Sequence, residues 1–295
     1  MGKRLIIPGI TSFTGPKIYA DPILSKGSLL LWDPTHLSGG DAAGVANGAS
    51  LANVAADIAA RLIGISEAAA RPTISNVGAE AGSATVTQSM KRRTAKGGLY
   101  GVYSKAHAVG DRLGQTNFGM LADFAKEYMW TNDHMYFMSI WARSLRSGRV
   151  GTGSAASPLS AMHGSVSGSA NQLLINNGTI AAPSRQQGFS TNNALFDANA
   201  PRINNLARQG WAGTKPTLVN AVGPWFMTGS YGSWAGSLNQ PGWSGIIERC
   251  YIEDLTVSGR SYAEVDAIDF AIFTAAHAAG GAWFGDTYPD PATLP

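Results

Sequence analysis

Charge is scarce in this chain of 295 residues. Only 14% of positions carry Asp, Glu, Lys or Arg, against about 25% in an average soluble protein. The formal net charge is +3, too small an excess for nucleic-acid binding driven by phosphate neutralisation. The one basic run, Lys91-Arg92-Arg93 with Lys96 nearby, reads as a solvated loop. Cysteine is almost lacking. Cys250 stands alone, which excludes an intrachain disulfide framework and a cysteine-based zinc site. On an apolar strand it is expected to act as a small buried hydrophobe. Long apolar runs are missing too. Nothing approaches the roughly 20 residues of a membrane-spanning helix, and Leu5-Ile6-Ile7, closed by Pro8, is too short for a signal-peptide core. The expectation is a soluble protein made in a cytoplasm, with neither membrane nor nucleic acid as partner. No period of about 20 to 50 residues recurs, which argues against a repeat architecture.

The chemical signatures of common enzymes are also absent. The five histidines, His36, His107, His134, His163 and His277, never fall three or four residues apart, so no His-Glu-x-x-His zinc helix exists. His134 beside Asp133 is a possible ligand pair, but two residues make no site. Gly164-Ser165-Val166-Ser167-Gly168 has valine where a nucleophile elbow needs serine. Gly151-Thr152-Gly153-Ser154 lacks the strand and helix of a dinucleotide fingerprint. The carboxylates Glu264, Asp266 and Asp269 fall in a helix, where acids near the first turn answer the macrodipole. On the last strand Glu248 and Asp254 are expected to share a face, about 20 Å apart at strand rise and too far for a glycosidase pair, with Glu253 facing the other way. No Asp-x-Asp calcium loop is present. These readings predict a protein that is not an enzyme and that uses no metal or cofactor.

What the chain does have is glycine, 36 residues, and eight tryptophans. Weak charge, small residues and scattered aromatics suit sheet and loop. They also suit a surface covered in an assembly, because interface cores are depleted in charge. Pro8, Pro16, Pro22 and Pro34, with Gly9, Gly15 and Gly27 between them, forbid a long helix and predict an extended arm. One strand interrupts it, Ser28-Leu29-Leu30-Leu31-Trp32. That strand packs either on its own domain or on a neighbouring subunit. Leu51, Val54, Ala55, Ile58 and Leu62 recur at helical spacing, with Asn53 or Ser50 as cap and Gly64 as stop. Residues 64 to 97 read as linker. Beyond them, strands are expected at 99–103, 135–143, 172–176, 194–196, 217–219, 225–228 and 246–252. Met135, Phe137, Ser139 and Trp141 share one face. Ser261-Tyr262-Ala263-Glu264 is a capping box; the helix it opens has the stripe Val265, Ile268, Ile272, Ala276 and stops at Gly280-Gly281. The division is a 1–97 arm with helix and linker, a 98–260 sandwich, and a 261–295 helix with an aromatic tail.

Gly245-Ile246-Ile247-Glu248-Arg249-Cys250-Tyr251-Ile252, followed by Val257-Ser258 and Ala263-Glu264-Val265, resembles the last strand and following helix of laminin-G-like, concanavalin A-like jelly rolls. Met138-Ser139-Ile140-Trp141-Ala142-Arg143 is similar to that family's early strand. The resemblance implies a mainly β fold: an antiparallel jelly-roll sandwich with an extended N-terminal arm and one C-terminal helix. The arm, the sandwich and the ending Trp283-Phe284-Gly285-Asp286 together resemble virion structural proteins of tailed bacteriophages. That resemblance implies a non-enzymatic tail, fibre or capsid-decoration component in the virion, assembled in the host cytoplasm, with copies of itself and other virion proteins as partners. Trp32, Trp283, Phe284 and Tyr288 are then the interface residues. Deleting residues 1–35 or 282–295 is expected to abolish assembly and spare the fold. The alternative is a carbohydrate-binding module for a cell-surface glycan, with the glycine-flanked Trp211, Trp234 and Trp243 as stacking platforms.

Overall fold

The computed structural model describes residues 21–36, 44–77, 89–103, 117–146, 157–164, 171–177, 185–187, 200–209, 218, 221–229 and 243–294. Of residues 157–164, 171–177, 185–187, 208–209 and 221–222 only the backbone is described. The described chain is mainly β, with two sheets packed face to face. The first sheet contains β1 (Ser28–Trp32), β3 (Ser89–Arg93), β4 (Leu99–Tyr103), β6 (Met135–Arg146), β9 (Arg185–Gln187), β10 (Pro201–Gln209) and β12 (Ser244–Asp254). Its order is β3-β4-β12-β6-β10-β9, with β1 also on β12. The second sheet runs β2 (Thr73–Val77), β5 (Asn117–Leu121), β11 (Ala221–Gly229), β7 (Ser157–Gly164) and β8 (Asn171–Asn177). Every pairing is antiparallel except β9 with β10. Among the described residues, no helix is long and apolar enough to cross a membrane.

Period-two patterning places the core. On β6, Tyr136, Met138, Ile140 and Ala142 face the second sheet, and meet Ile74, Phe118, Met120 and Phe226 from it. The alternate set, Phe137, Ser139 and Trp141, faces outward, as their spacing predicts. That outer face is not left to solvent. Helix α4 (Tyr262–His277) lies on it through Val265 and Phe273. The following residues 278–294 run on as a strap: Trp283 packs with Trp141 and Ile203, and Tyr288 stacks on Tyr100 at 5.8 Å. The layer order is sheet, sheet, then helix and strap, so the long strands of the first sheet are buried on both faces.

The local signals explain each helix. Ser261 and Glu264 form the reciprocal capping box that starts α4. Helix α1 (Ala56–Ile63) ends at Gly64 in the left-handed region, φ +83°, which glycine adopts without penalty. It starts later than the sequence implies. Asn53 is no cap for it: its carbonyl accepts from the Leu31 and Ala55 amides while its amide group donates to Leu29 and Ala70, fastening β1 to the loop before α1. Short helices α2 (Lys126–Thr131) and α3 (Leu255–Ser258) add to the single C-terminal helix expected.

Three expectations change. The segment expected as an extended arm is held, at its strand, on its own domain, one of the two placements left open: it supplies β1 and the fully buried Ile23, Leu29, Leu30, Leu31 and Trp32, because an apolar strand finds its partner in the C-terminal half of β12. The described parts of residues 64 to 97 do not read as linker: β2 and β3 are strands of the same two sheets. The basic run is a strand rather than a solvated loop, and fully buried Lys91 donates to Asn76 Oδ1 at 2.7 Å. Gly223-Pro224 falls inside β11, at a register shift against β7. The strands expected at 194–196 and, Leu218 apart, at 217–219 lie outside the described residues.

The strap therefore belongs to the fold. Trp283→Ala is expected to lower unfolding free energy by about 3–5 kcal/mol, as for other large-to-small core changes, measured by urea denaturation. A loss under about 1 kcal/mol overturns this account of the strap, and would fit the earlier expectation that removing 282–295 spares the fold.

Candidate functional site

Strand β12 organises the polar groups of the outer face. Its first residues pair with β4 up to Ile247, and β1 takes over at Cys250. Between the two, a register shift against β6 inserts an extra residue between Ile247 and Arg249. Such a bulge turns the parity of the strand. Ile247, Cys250 and Ile252 stay in the core between the sheets. Glu248, Arg249, Tyr251 and Glu253 reach the outer side. The sequence-based pairing of Glu248 with Asp254 on one face is corrected by this bulge: Glu253 shares the outer side with Glu248, and Asp254 takes the other.

Arg249 fills the gap where β4 gives way to β1. Its side chain is 2% exposed. It donates through Nη2 to both oxygens of Asp21 at 3.1 Å and through Nη1 to Asp33 Oδ2 at 3.0 Å. The guanidinium lies 4.7 Å over the Trp141 ring. Burial opposes its charge, but Asp21 and Asp33 outweigh it and hold the group above its ordinary range. Asp269 of α4 approaches the same cluster and accepts from Trp141 Nε1 at 3.0 Å. Burial pushes the Asp269 carboxyl up, against the opposing pull of Arg249. Farther along β12, Glu253 accepts from Ser25, Tyr251 and Arg260. Gly27 lets that corner close: a Cβ there would stand 2.3 Å from the Asp254 carbonyl.

The end of this sheet is where the surface opens. A cleft of about 580 Å³ lies between the start of β6, the end of β10, α3 and the start of α4. Met135, Ala207 and Leu255 give it apolar walls; Thr256, Arg260, Ser261 and Tyr262 give it polar groups. Its volume falls in the range of ligand sites. Tyr262 donates its hydroxyl to Asn205 at 2.7 Å, and Arg260 is held by Glu253, so the polar rim is fixed before anything binds.

Beside the cleft, next to Met135 in sequence, His134 Nδ1 lies 2.6 Å from Asp254 Oδ2. Tyr128 donates to the same oxygen at 2.8 Å. Burial, and then the hydrogen bond and charge of Asp254, push the Tyr128 hydroxyl up. Facing a carboxylate, which only accepts, His134 Nδ1 is the donor of this pair. The sequence paired His134 with Asp133; the strand geometry pairs it with Asp254 instead. Among the described residues, no group of three or more His, Cys, Asp and Glu is placed to hold a metal ion.

The sequence-derived candidates do not converge. Trp32 and Trp283 are buried in their own chain, and so is Trp243, which cannot serve as an open platform. Tyr288 is half-buried against Tyr100. Phe284 alone of these is exposed, at 54%. Trp211 and Trp234 lie outside the described residues. The cleft was missed because its residues are contiguous only at 255–256 and 260–262; the polar cluster at Ser261-Tyr262 was legible only as a helix cap.

The buried Asp269 generates a test of the electrostatics. Its folded-state carboxyl is raised above the unfolded one, so the folded protein binds more protons in acid and the contribution to stability falls as pH rises through that raised value. Asp269→Asn keeps an oxygen for Trp141 and removes the third carboxyl group of the cluster. It is expected to raise stability by about 1 kcal/mol at neutral pH and to flatten the pH dependence above about pH 4, read from thermal melts across pH. Lower stability at neutral pH with an unchanged profile overturns this.

No protein-family model and no curated protein matches the chain. Among solved structures, it is similar to a sialidase of Trypanosoma rangeli in complex with 2,3-difluorosialic acid, described as a covalent intermediate, at 12% identity and a TM-score of 0.32. The match covers 79% of this chain and 31% of that one; the chain spans about a third of the sialidase's length. At that score the likeness assigns no activity here. It does correct the expectation that this chain is not an enzyme: the protein found to be similar is one, and that expectation is withdrawn.

Proposed function

We propose that this chain is a structural component of a multi-subunit particle, of the kind found in tailed-bacteriophage virions, which holds to copies of itself and to other particle proteins. The carrying observation is Phe284. Among the described residues it is the one large apolar side chain left exposed, at the outer edge of a strap whose other aromatics are covered. A lone exposed phenylalanine on a chain with 14% charged residues fits an aromatic anchor with weakly charged surroundings, the composition of interface centres. The finer reading of the fold as a concanavalin A-like jelly roll rests on the two antiparallel sheets and on β6 lying beside β12. The burial of β1 and Trp283 within one chain shifts the proposed contacts from exchanged arms to this surface.

The cleft favours a second reading, recognition of a cell-surface glycan. It joins apolar walls to hydroxyl and guanidinium groups held in place, a combination that orients polar ligands. Trp211 and Trp234 stay with that reading as stacking residues to be tested.

Light scattering over a concentration series separates the two. Assembly predicts a mass above the monomer and an association about tenfold or more weaker in Phe284→Asp, the effect of removing an interface anchor. A monomer at every concentration, with glycan binding that Tyr262→Ala abolishes, overturns the assembly reading in favour of the second.

A further inference from the structure

Two features of the outer layer stay open, and they lie at opposite ends of α4. The cleft forms where the helix starts, against Arg260, Ser261 and Tyr262. Phe284 stands past its end, in a turn drawn back to the helix: the Trp283 amide donates to the Ala276 carbonyl at 2.8 Å and the Phe284 amide to the Gly281 carbonyl at 3.1 Å. The helix between them has 16 residues, a span of about 24 Å, so the ring cannot reach the cleft of its own chain. Its surface neighbours are small: Ala282 and Gly285 are exposed beside it, and Gly285 takes φ +71°. The ring therefore protrudes. The cleft is its counterpart in shape. Met135, Ala207 and Leu255 give it apolar walls, and about 580 Å³ admits a phenyl ring together with the strap backbone on either side. The charges also match. Residues 278–294 carry Asp286 and Asp290 and no Lys or Arg. The wall segment 255–262 carries Arg260 as its only charge. Buried Glu253 and the Ile23 carbonyl take up Nε and Nη2 of Arg260, which leaves Nη1 to meet an entering ring or a carboxylate. Glu264, the first acid of α4, is turned back to cap Ser261.

We propose that Phe284 of one copy seats in the cleft of a second copy, so that the chain assembles through its own exposed ring. This rests on the assembly reading above and names the surface that receives the anchor. Apolar surface on one part of a molecule and a complementary pocket elsewhere on it join copy to copy. Seated, the ring packs on Met135, Ala207 and Leu255, with the Arg260 guanidinium against its face. The strap's acids approach the Arg260 side of the rim. Water leaves both apolar surfaces, which is the source of the attraction. Between the two sites the exposed face of α4, Ala267, Ala271, Thr274 and Ala275, carries no charge, so no ion is stripped of water there as the copies meet. One aromatic anchor in one desolvated pocket is the arrangement of an interface hot spot.

The experiment uses the full chain. Phe284→Asp removes the ring, Ala207→Trp fills the cleft, and p-benzoylphenylalanine in place of Phe284 marks what the ring touches. Light scattering of either substituted chain is expected to show association about tenfold or more weaker than in the unchanged protein. A chain with both substitutions is expected to be no weaker than a chain with one, since both act on a single contact. Mixing the two single variants is expected to restore a dimer of one each, from the intact ring of one and the intact cleft of the other. Irradiation of the benzophenone chain is expected to give a cross-linked dimer, with the new bond at Met135, Ala207 or residues 255–262 by mass spectrometry. Association that Ala207→Trp leaves unchanged overturns the proposal, as do cross-links confined to other residues; where Phe284→Asp alone weakens association, the assembly reading stands with another receiving surface. A monomer at every concentration overturns both. If Ala207→Trp does not fold, Met135→Lys takes its place, and the cross-link map needs neither.

Discussion

A guanidinium taken out of water must find carboxylates, and the outer layer of this protein is arranged around that requirement. Arg249 sits at the β12 bulge, at the one place on that edge of the strand where neither β4 nor β1 covers it. Asp33, one residue past β1, and Asp21, from the segment before it, meet the charge from the N-terminal side. Trp141 of β6 lies beneath it, and Asp269 brings α4 to the same point. Four stretches far apart in sequence are thereby fixed against one another. Removing Asp21 or Asp33 leaves the buried guanidinium undercompensated, a loss of about 3–5 kcal/mol in comparable cases, so the cluster fixes positions as well as contributing energy.

This arrangement gives the first sheet two covered faces. One is the apolar core shared with the second sheet. The other carries ion pairs and aromatic rings under α4 and the strap: Glu248 with Arg143 and His277, Arg249 with two aspartates, Glu253 with Arg260. Much of the small complement of charge is thus spent inside the molecule. Low charge has two physical sources here, a buried polar layer as well as a weakly charged surface.

Coverage stops at the end of the sheet, and the open features follow from where it stops. Met135 and Ala207 of the sheet and the residues from Leu255 to Tyr262 around α3 and the start of α4 wall the cleft. The strap turns away past Trp283, and Phe284 is left in solvent. Both are edges of the third layer. That is why the proposed contacts lie there.

Short-range chemistry was readable from the sequence. Alternation on Met135–Arg146, the capping box at Ser261, the stop at Gly64 and the burial of Cys250 each depend on residues within a few positions of one another, and the structure has each of them. What needed the tertiary structure was everything set by pairing at long sequence separation. The arm became a strand because β12 offered it an edge. The linker became two strands because β4 and β5 offered theirs. Lys91 went inward because Asn76 met it across the sheets. The bulge at Glu248 shifted the strand's parity and put Glu248 and Asp254 on opposite faces instead of one, and His134 found Asp254 from 120 residues away. The cleft is made by residues from four elements that no spacing links. Sequence alone determined the strongly periodic elements, the strand from Met135 and the capped helix from Ser261, and which of their faces are apolar, because those follow from local periodicity. Only the tertiary structure decided which charges meet and where the surface opens, because both depend on distances that folding creates.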